Sequence, residues 1–281
     1  MAAIATLRDR NAAFWARAAP GWIANADRHD QWAHPMGAAA LDRLRPRPGE
    51  RILDIGCGCG GTTADLAAAV RPGGTAVGLD LAAAMVDAAR TRFPEAEFRH
   101  ADLETAAPPG PPFDAAYSRM ALMLLADPTA GCTAIRRALR PGGRLAATVF
   151  RDAAASPWLH ATLLGAAPHL GPLPPLPLGA EPGPFAFADP ARVTRILAAA
   201  GFTAITVESH DATMDVPDDP DAVADWLITL GPAGAAYRTA PPPQRDAARA
   251  EAARLLDRYR TPGTGFRLPT GIWLVSAERP A

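Results

Sequence analysis

The 281-residue chain contains no lysine: all 28 of its basic residues are arginine. That excludes Schiff-base chemistry and a phosphate loop of the Walker type, both of which need a lysine amine. Cysteine is nearly as scarce. There are three, with Cys57 and Cys59 inside one glycine-rich loop and Cys132 far along the chain. This is no disulfide framework, and a lone Cys-x-Cys pair is no zinc site. The expected role of the pair is small, slightly polar filler beside a ligand. Net charge is also small, at −1, which gives no electrostatic basis for binding nucleic acid or an anionic membrane. No apolar run is long enough to span a bilayer. The N-terminus lacks a basic flank followed by an apolar core, so no signal peptide is expected. These absences predict a soluble, cytoplasmic protein with reduced thiols. Its histidines and acids lack ligand spacing, so no metal is expected.

What the chain does have is apolar material. It is 49% hydrophobic, enough for one α/β domain with additions or a small cap. The stretch from Arg51 to Leu66 organises the rest. It starts as a short apolar run, breaks into glycines and resumes as a helix former, which reads as strand, tight turn and helix N-terminus. Backbone amides at such a helix start are free donors for a nucleotide-like cofactor. The glycines alone are ambiguous. Gly56, Gly58 and Gly61 fit the dinucleotide pattern G-x-G-x-x-G. Gly56, Gly58 and Gly60 fit the G-x-G-x-G loop of S-adenosylmethionine (SAM) enzymes equally well. Asp54 helps to separate them: a carboxylate there repels a pyrophosphate and suits the ammonium of a methionine moiety.

The string Ile52-Leu53-Asp54-Ile55-Gly56-Cys57-Gly58-Cys59-Gly60 resembles motif I of the class I SAM-dependent methyltransferases. Three further stretches follow in the family's order. A second strand, 75–79, ends in Asp80, about 20 residues past the loop, where a carboxylate can hold both ribose hydroxyls. A third strand, 95–100, leads into Ala101-Asp102-Leu103, which matches the motif whose aspartate reads the adenine amino group. A fourth, 113–118, ends in Ser118-Arg119-Met120-Ala121, at the position beside the reactive sulfonium. DNA- and amide-methylating relatives carry Asn/Asp-Pro-Pro-aromatic there, so this departure argues against a nucleobase or glutamine substrate. Leu139-Arg140-Pro141-Gly142-Gly143 then turns into a fifth strand ending at Phe150, as in the small-molecule, UbiE-like (methyltransferase type 11) branch. The resemblance covers about 51–150.

That resemblance implies a doubly wound, Rossmann-like α/β fold. Its seven-stranded sheet is mostly parallel, with an antiparallel last strand. Four segments are expected around or within it. Residues 1–45 form an N-terminal helical lid, since Phe14, Ala18, Trp22 and Trp15, Ala19 fall at helical spacing. The cofactor core comprises 46–210 and 265–281. Within it, the proline-rich stretch 151–189 makes an excursion over the active-site face. A cap, 211–264, is inserted between strand 6 (203–208) and strand 7 (265–277, its start broken by Pro269). The cap should hold two helices, 218–230 and 243–259, the second amphipathic through Ala247, Ala250, Leu255 and Tyr259.

The implied reaction is in-line methyl transfer to an O-, N- or C-nucleophile of a small, partly apolar molecule, driven mainly by positioning. The resemblance carries cofactor contacts to Asp54, Gly56, Cys57, Gly58, Gly60, Asp80, Leu81, Met85, Ala101, Asp102, Leu103 and Ser118. Trp22, Arg119, Met123 and Trp158 are the substrate-side candidates. A general base, if used, should come from His29, Asp30 or His34 in the lid, or His210 or Asp211 after strand 6. A small-molecule substrate is the expected partner, without nucleic acid or membrane, and a homodimer is compatible with the chain. Two alternatives stand beside this reading. One is a SAM-binding protein or cyclase that does not methylate; the other is a nicotinamide-dependent oxidoreductase.

Overall fold

A computed structural model describes residues 2–105, 108, 110–173, 177 and 179–281. The chain opens with three helices, α1 (Ala2–Ala24), α2 (Ala26–Trp32) and α3 (Pro35–Leu44). It then alternates strand and helix: β1 (Arg51–Ile55), α4 (Gly61–Ala69), β2 (Thr75–Asp80), α5 (Ala83–Arg92), β3 (Glu97–His100), β4 (Phe113–Arg119), α6 (Pro128–Ala138) and β5 (Leu139–Phe150). These five strands pair in parallel. Continuous apolar runs suit them, because both faces are covered: Ile52 and Leu53 in β1, and Ala115 and Ala116 in β4, are fully buried. The strand order is β3-β2-β1-β4-β5, so chain direction across the sheet reverses between β1 and β4. Ligands of such sheets sit at the strand C-termini beside that reversal.

The second half adds α7 (Trp158–Leu170), α8 (Pro190–Ala199), β6 (Thr203–Val216), α9 (Pro220–Leu230), α10 (Gly234–Thr239), α11 (Pro242–Leu256), β7 (Arg260–Thr261) and β8 (Gly265–Glu278). β8 runs antiparallel between β5 and β6, and the short β7 pairs with it. The sheet therefore has the expected seven strands plus one short addition. Three helices, α6, α8 and α9, begin with Asp-Pro. In each the aspartate accepts a first-turn amide while the proline supplies a helical φ without a wasted donor. Among the described residues no helix is long and apolar enough to cross a membrane.

Three expectations change here. β6 does not stop at Glu208. It continues to Val216 as one arm of a long hairpin, with Ala212, Met214 and Val216 buried at alternate positions, so the helical insertion starts after 216. Pro269 does not break β8 either. By then β8 has left β5, whose last pair is Phe150–Ile272, and only β6 lies beside it. A proline is tolerated on such an edge, and its carbonyl accepts from Trp158 Nε1 at 3.0 Å. The buried stripe of α11 is Ala248, Ala252 and Leu256, one residue out of phase with the expected one; Ala250 is exposed.

The proline-rich excursion contains α7, which lies across α11. Of the prolines in it, Pro174 and Pro175 fall outside the described residues, while Phe185 and Phe187 anchor its later part in the core. A Cβ on Gly165 of α7 would stand 2.6 Å from Ala252 Cα. Gly165→Val is therefore expected to force the helices apart at a cost of about 1–3 kcal/mol. A urea titration reads this as a lower midpoint at unchanged slope; an unaltered midpoint would contradict the close crossing.

α1, α2 and α9 meet through a series of rings. Phe14, Trp15 and Trp22 of α1 pass edge-to-face contacts at 5.3 and 5.6 Å. Trp22 meets His29 of α2 at 4.8 Å, and His29 meets Trp226 of α9 at 6.2 Å, which in turn meets Trp32 at 5.1 Å. Such pairs add roughly 0.5–1.5 kcal/mol each beyond area burial.

Candidate active site

The turn after β1 is pinned to the end of β2. Gly56, Gly58 and Gly60 all take positive φ, at 69°, 53° and 94°, which only glycine adopts in succession without strain. Gly56 N and Cys57 N donate to Leu79 O at 2.8 and 3.1 Å. Asp80 completes the attachment: its Oδ2 accepts from Gly58 N at 2.9 Å and its Oδ1 from Ala82 N at 2.8 Å. It thus clamps the loop and also holds Ala82, the residue that precedes α5. Burial raises its pKa above the usual carboxylate value, and the two amides work against that.

Asp54 sits at the β1 tip, 1% exposed. Its Oδ2 accepts from both Thr62 Oγ1 and Thr63 Oγ1 at 2.6 Å, in the first turn of α4. Its Oδ1 is buried with no partner. Burial pushes the carboxyl up to about 6, against the two hydroxyl donors and the charge of Arg119. Cys57 and Cys59 are buried thiols. Burial raises Cys57 well above its usual value and Cys59 to about 12, so both stay protonated and serve as filler.

The N-terminal helices reach this site directly. Asp102 Oδ2 accepts from Arg8 of α1 through Nε at 3.1 Å and Nη2 at 2.6 Å, while its Oδ1 accepts from Glu104 N at 2.9 Å. Asp30 of α2 lies over the first residue of α4, where a Cβ on Gly61 would come within 2.2–2.3 Å of its carboxylate. Asp30 pairs with Arg92 Nη2 at 2.7 Å and Arg119 Nη2 at 3.3 Å, so it is no free base. Trp15 and Trp22 pack on Cys59, Ala82 and Met85.

Other sequence-picked residues have settled places. Ser118 donates its hydroxyl to Ile55 O at 3.0 Å, tying β4 to β1. Leu81 O lies 3.1 Å from His100 Nε2. Ala101 N donates to Asp80 O at 3.0 Å, and Leu103 is buried. Met123 is buried too, its carbonyl accepting from Gly183 N. Trp158 is a core residue whose indole N–H goes to Pro269 O and Thr270 Oγ1, which leaves it no free donor. Arg119 stands at the β4 tip, followed by Met120 at φ 58°, a left-handed residue at a strand end.

The three histidines separate. His29 lies in the ring series with Nδ1 buried and unpartnered. Burial first, then the nearby Arg119 charge, holds its pKa well below the usual value, so the ring is neutral. His34 is exposed at the start of α3, beside a small cleft shared with Tyr117 and Arg119. His210 is exposed on the edge strand β6. That is three strand spacings, about 14 Å, from β4, so the fold does not bring it to the glycine loop. Asp211 is likewise exposed and pairs with Arg151 at 2.8 Å. Sequence reasoning missed Arg8, Thr62, Thr63, Arg92 and Trp226. The threonines alone carried a signal, as hydroxyls opening a helix one turn after a buried acid.

A family model described as a methyltransferase domain matches residues 52–143, from β1 into the turn within β5. Nocamycin O-methyltransferase of Saccharothrix syringae is 30% identical over 263 residues, covering 89% of this chain and 93% of the relative. The chain belongs to the class I SAM-dependent methyltransferases. A shorter match within this methyltransferase, 107 residues at 37% identity, is to trans-aconitate 2-methyltransferase of Paracidovorax citrulli; it covers 38% of the chain and only 41% of that relative. The fold also matches the YcgJ protein of Bacillus subtilis with a TM-score of 0.55 at 15% identity, over 89% of this methyltransferase and 99% of that chain. Family membership sets the nicotinamide alternative aside.

Proposed function

We propose that this methyltransferase moves the methyl group of SAM to an acidic oxygen of a small, partly apolar molecule enclosed between lid and cap. The donor set fits SAM. Each Asp80 oxygen has given one acceptor direction to an amide and keeps another for a ribose hydroxyl. Asp54 Oδ1, buried and bare, suits the methionine ammonium. Asp102 is an acceptor for the adenine amino group, which would share it with Arg8 or replace that contact. Gly56, Gly58 and Gly60 let the cofactor lie close to backbone. Bound there, SAM supplies an electrophilic methyl group on a sulfonium.

The observation that carries the acceptor class is a cluster of unmatched polar atoms. Trp22 Nε1, Trp226 Nε1 and His29 Nδ1 are all buried, all without partners and on adjacent rings. Each such group costs about 1–3 kcal/mol unsatisfied. Two indole donors and a neutral imidazole suit one oxygen that accepts from the first and gives its proton to the second. A base with so low a pKa takes protons from a phenol, enol or carboxylic acid rather than an alcohol. The O-methyltransferase name of the full-length relative agrees with this. Asp54, Asp80 and the glycine loop hold the donor, the rings exclude water, and alignment does the rest.

The test is incubation with methyl-labelled SAM and a panel of phenols, enols and carboxylic acids. Label is expected on oxygen. His29→Gln should lower kcat by about 10²–10⁴ while S-adenosylhomocysteine still binds. An unlabelled, cyclised product would instead favour a cofactor-binding protein that does not methylate.

A further inference from the structure

We infer that Asp30 sits in the seat of the cofactor's carboxylate, and that Arg119 is the cation the two carboxylates exchange. This rests on the SAM reading above. α4 has Gly60 as its N-cap and so no side-chain cap. The hydroxyls of its first turn, on Thr62 and Thr63, turn inward to Asp54. The anion at this helix N-terminus comes from another element: the Asp30 carboxylate against Gly61. Positive helix ends favour such a group.

The two arginines on Asp30 differ. Arg92 holds it at 2.7 Å and is fixed by two further bonds, to Asp27 at 2.6 Å and Cys59 O at 2.5 Å. Arg119 holds it at 3.3 Å, the longer contact. The left-handed turn at Met120, whose N–H donates to Thr148 O at 2.9 Å, fixes Arg119 at the strand tip. Arg119 is therefore the easier arginine to transfer, and Asp30 keeps Arg92 when it moves aside.

The Arg119 charge also acts on Asp54 at the β1 tip, whose Oδ2 is held by the first turn of α4 and whose Oδ1 is bare. A positive group and an unmatched negative one together describe an α-amino acid, whose carboxylate and ammonium are joined through one carbon. A phosphate fits poorly, since it would face the Asp54 and Asp30 carboxylates with nothing to offer either. The methionine end of SAM thus takes Arg119 and the α4 N-terminus from Asp30 and presents its ammonium to Asp54.

Calorimetric titration of the full chain tests this with two probes. One is S-adenosylhomocysteine; the other is 5′-deoxy-5′-methylthioadenosine, which shares the adenosine but lacks the amino acid. The parent should bind the first at least tenfold more tightly. Arg119→Met should weaken the first tenfold or more and leave the second within twofold, the second also reporting an intact fold. Asp30→Asn should tighten only the first, by several-fold. Equal loss of both probes in Arg119→Met, no loss of the first, or equal gain of both in Asp30→Asn would overturn the exchange. If the parent bound neither probe, the SAM reading would fall and this inference with it.

Discussion

Replacing Asp80 with alanine is expected to lower SAM affinity by two orders of magnitude or more. Its carboxylate holds Gly58 N and Ala82 N at 2.9 and 2.8 Å, so the substitution removes the proposed ribose acceptor and the clamp on the glycine loop together. Hydrogen bonds to a charged group are worth about 1.5–3 kcal/mol each, and every 1.4 kcal/mol is about tenfold in affinity. Asp80→Asn keeps one acceptor oxygen and should fall between. Calorimetry with SAM reads both; an alanine variant that binds like the parent would remove Asp80 from the ribose role.

Asp54→Asn should separate folding stability from cofactor binding. Burial lifts the Asp54 carboxyl from an ordinary value of 3.8 to about 6. Each unit is worth about 1.4 kcal/mol, so ionising Asp54 costs the folded state on the order of 3 kcal/mol at neutral pH. The sign follows from which form the fold prefers. Its protonated form is favoured, so Asp54's contribution is complete below about 3.8 and is lost as pH rises through 6. Asparagine carries no such dependence. Urea midpoints of parent and variant should therefore diverge between pH 4 and pH 7.5, in the variant's favour at the higher pH. A gap that does not change with pH would refute a buried charge at this position. SAM affinity should move the other way, falling about tenfold or more, because a neutral amide cannot answer an ammonium.

The strands and helices from β1 to β5 were legible because each carries its own punctuation. An apolar run ends at Asp54-Ile55-Gly56, at Asp80 or at Ser118, and the turn at Arg71-Pro72-Gly73-Gly74 follows α4, whereas Pro141-Gly142-Gly143, expected as a turn before the strand, falls inside β5 where its register with β4 shifts. The far arm of β6 was readable in principle, since Ala212, Met214 and Val216 alternate with polar residues; its acids and histidine made it look like loop. The phase of α11 was not readable. Alanine occurs on several faces of that helix, and alanine against alanine offers no contrast in size or polarity to choose the buried one. Only the crossing with Gly165 decides it.

At the site, Asp80 was marked by its spacing from the glycine loop, Asp54 by its place before the first glycine and Asp102 by the family resemblance. Their neighbours were not. Arg8 on Asp102, or Asp30 between Arg92 and Arg119, are pairs between distant segments in a chain with 28 arginines, and nothing local marks which arginine turns inward. The same holds for His29. Its neutrality comes from burial and then the nearby Arg119 charge, and part of that burial is the ring of Trp226 on α9, far from it in sequence.

The ring series has an optical consequence. Trp15, Trp22, Trp32 and Trp226 are four of the six tryptophans in the chain, and they belong to one connected cluster where α1 and α2 meet α9. Intrinsic emission from this protein is therefore governed mostly by that junction. Any separation of α1 and α2 from α9 would alter its intensity and wavelength, so the enzyme carries its own fluorescent gauge of that contact without a dye.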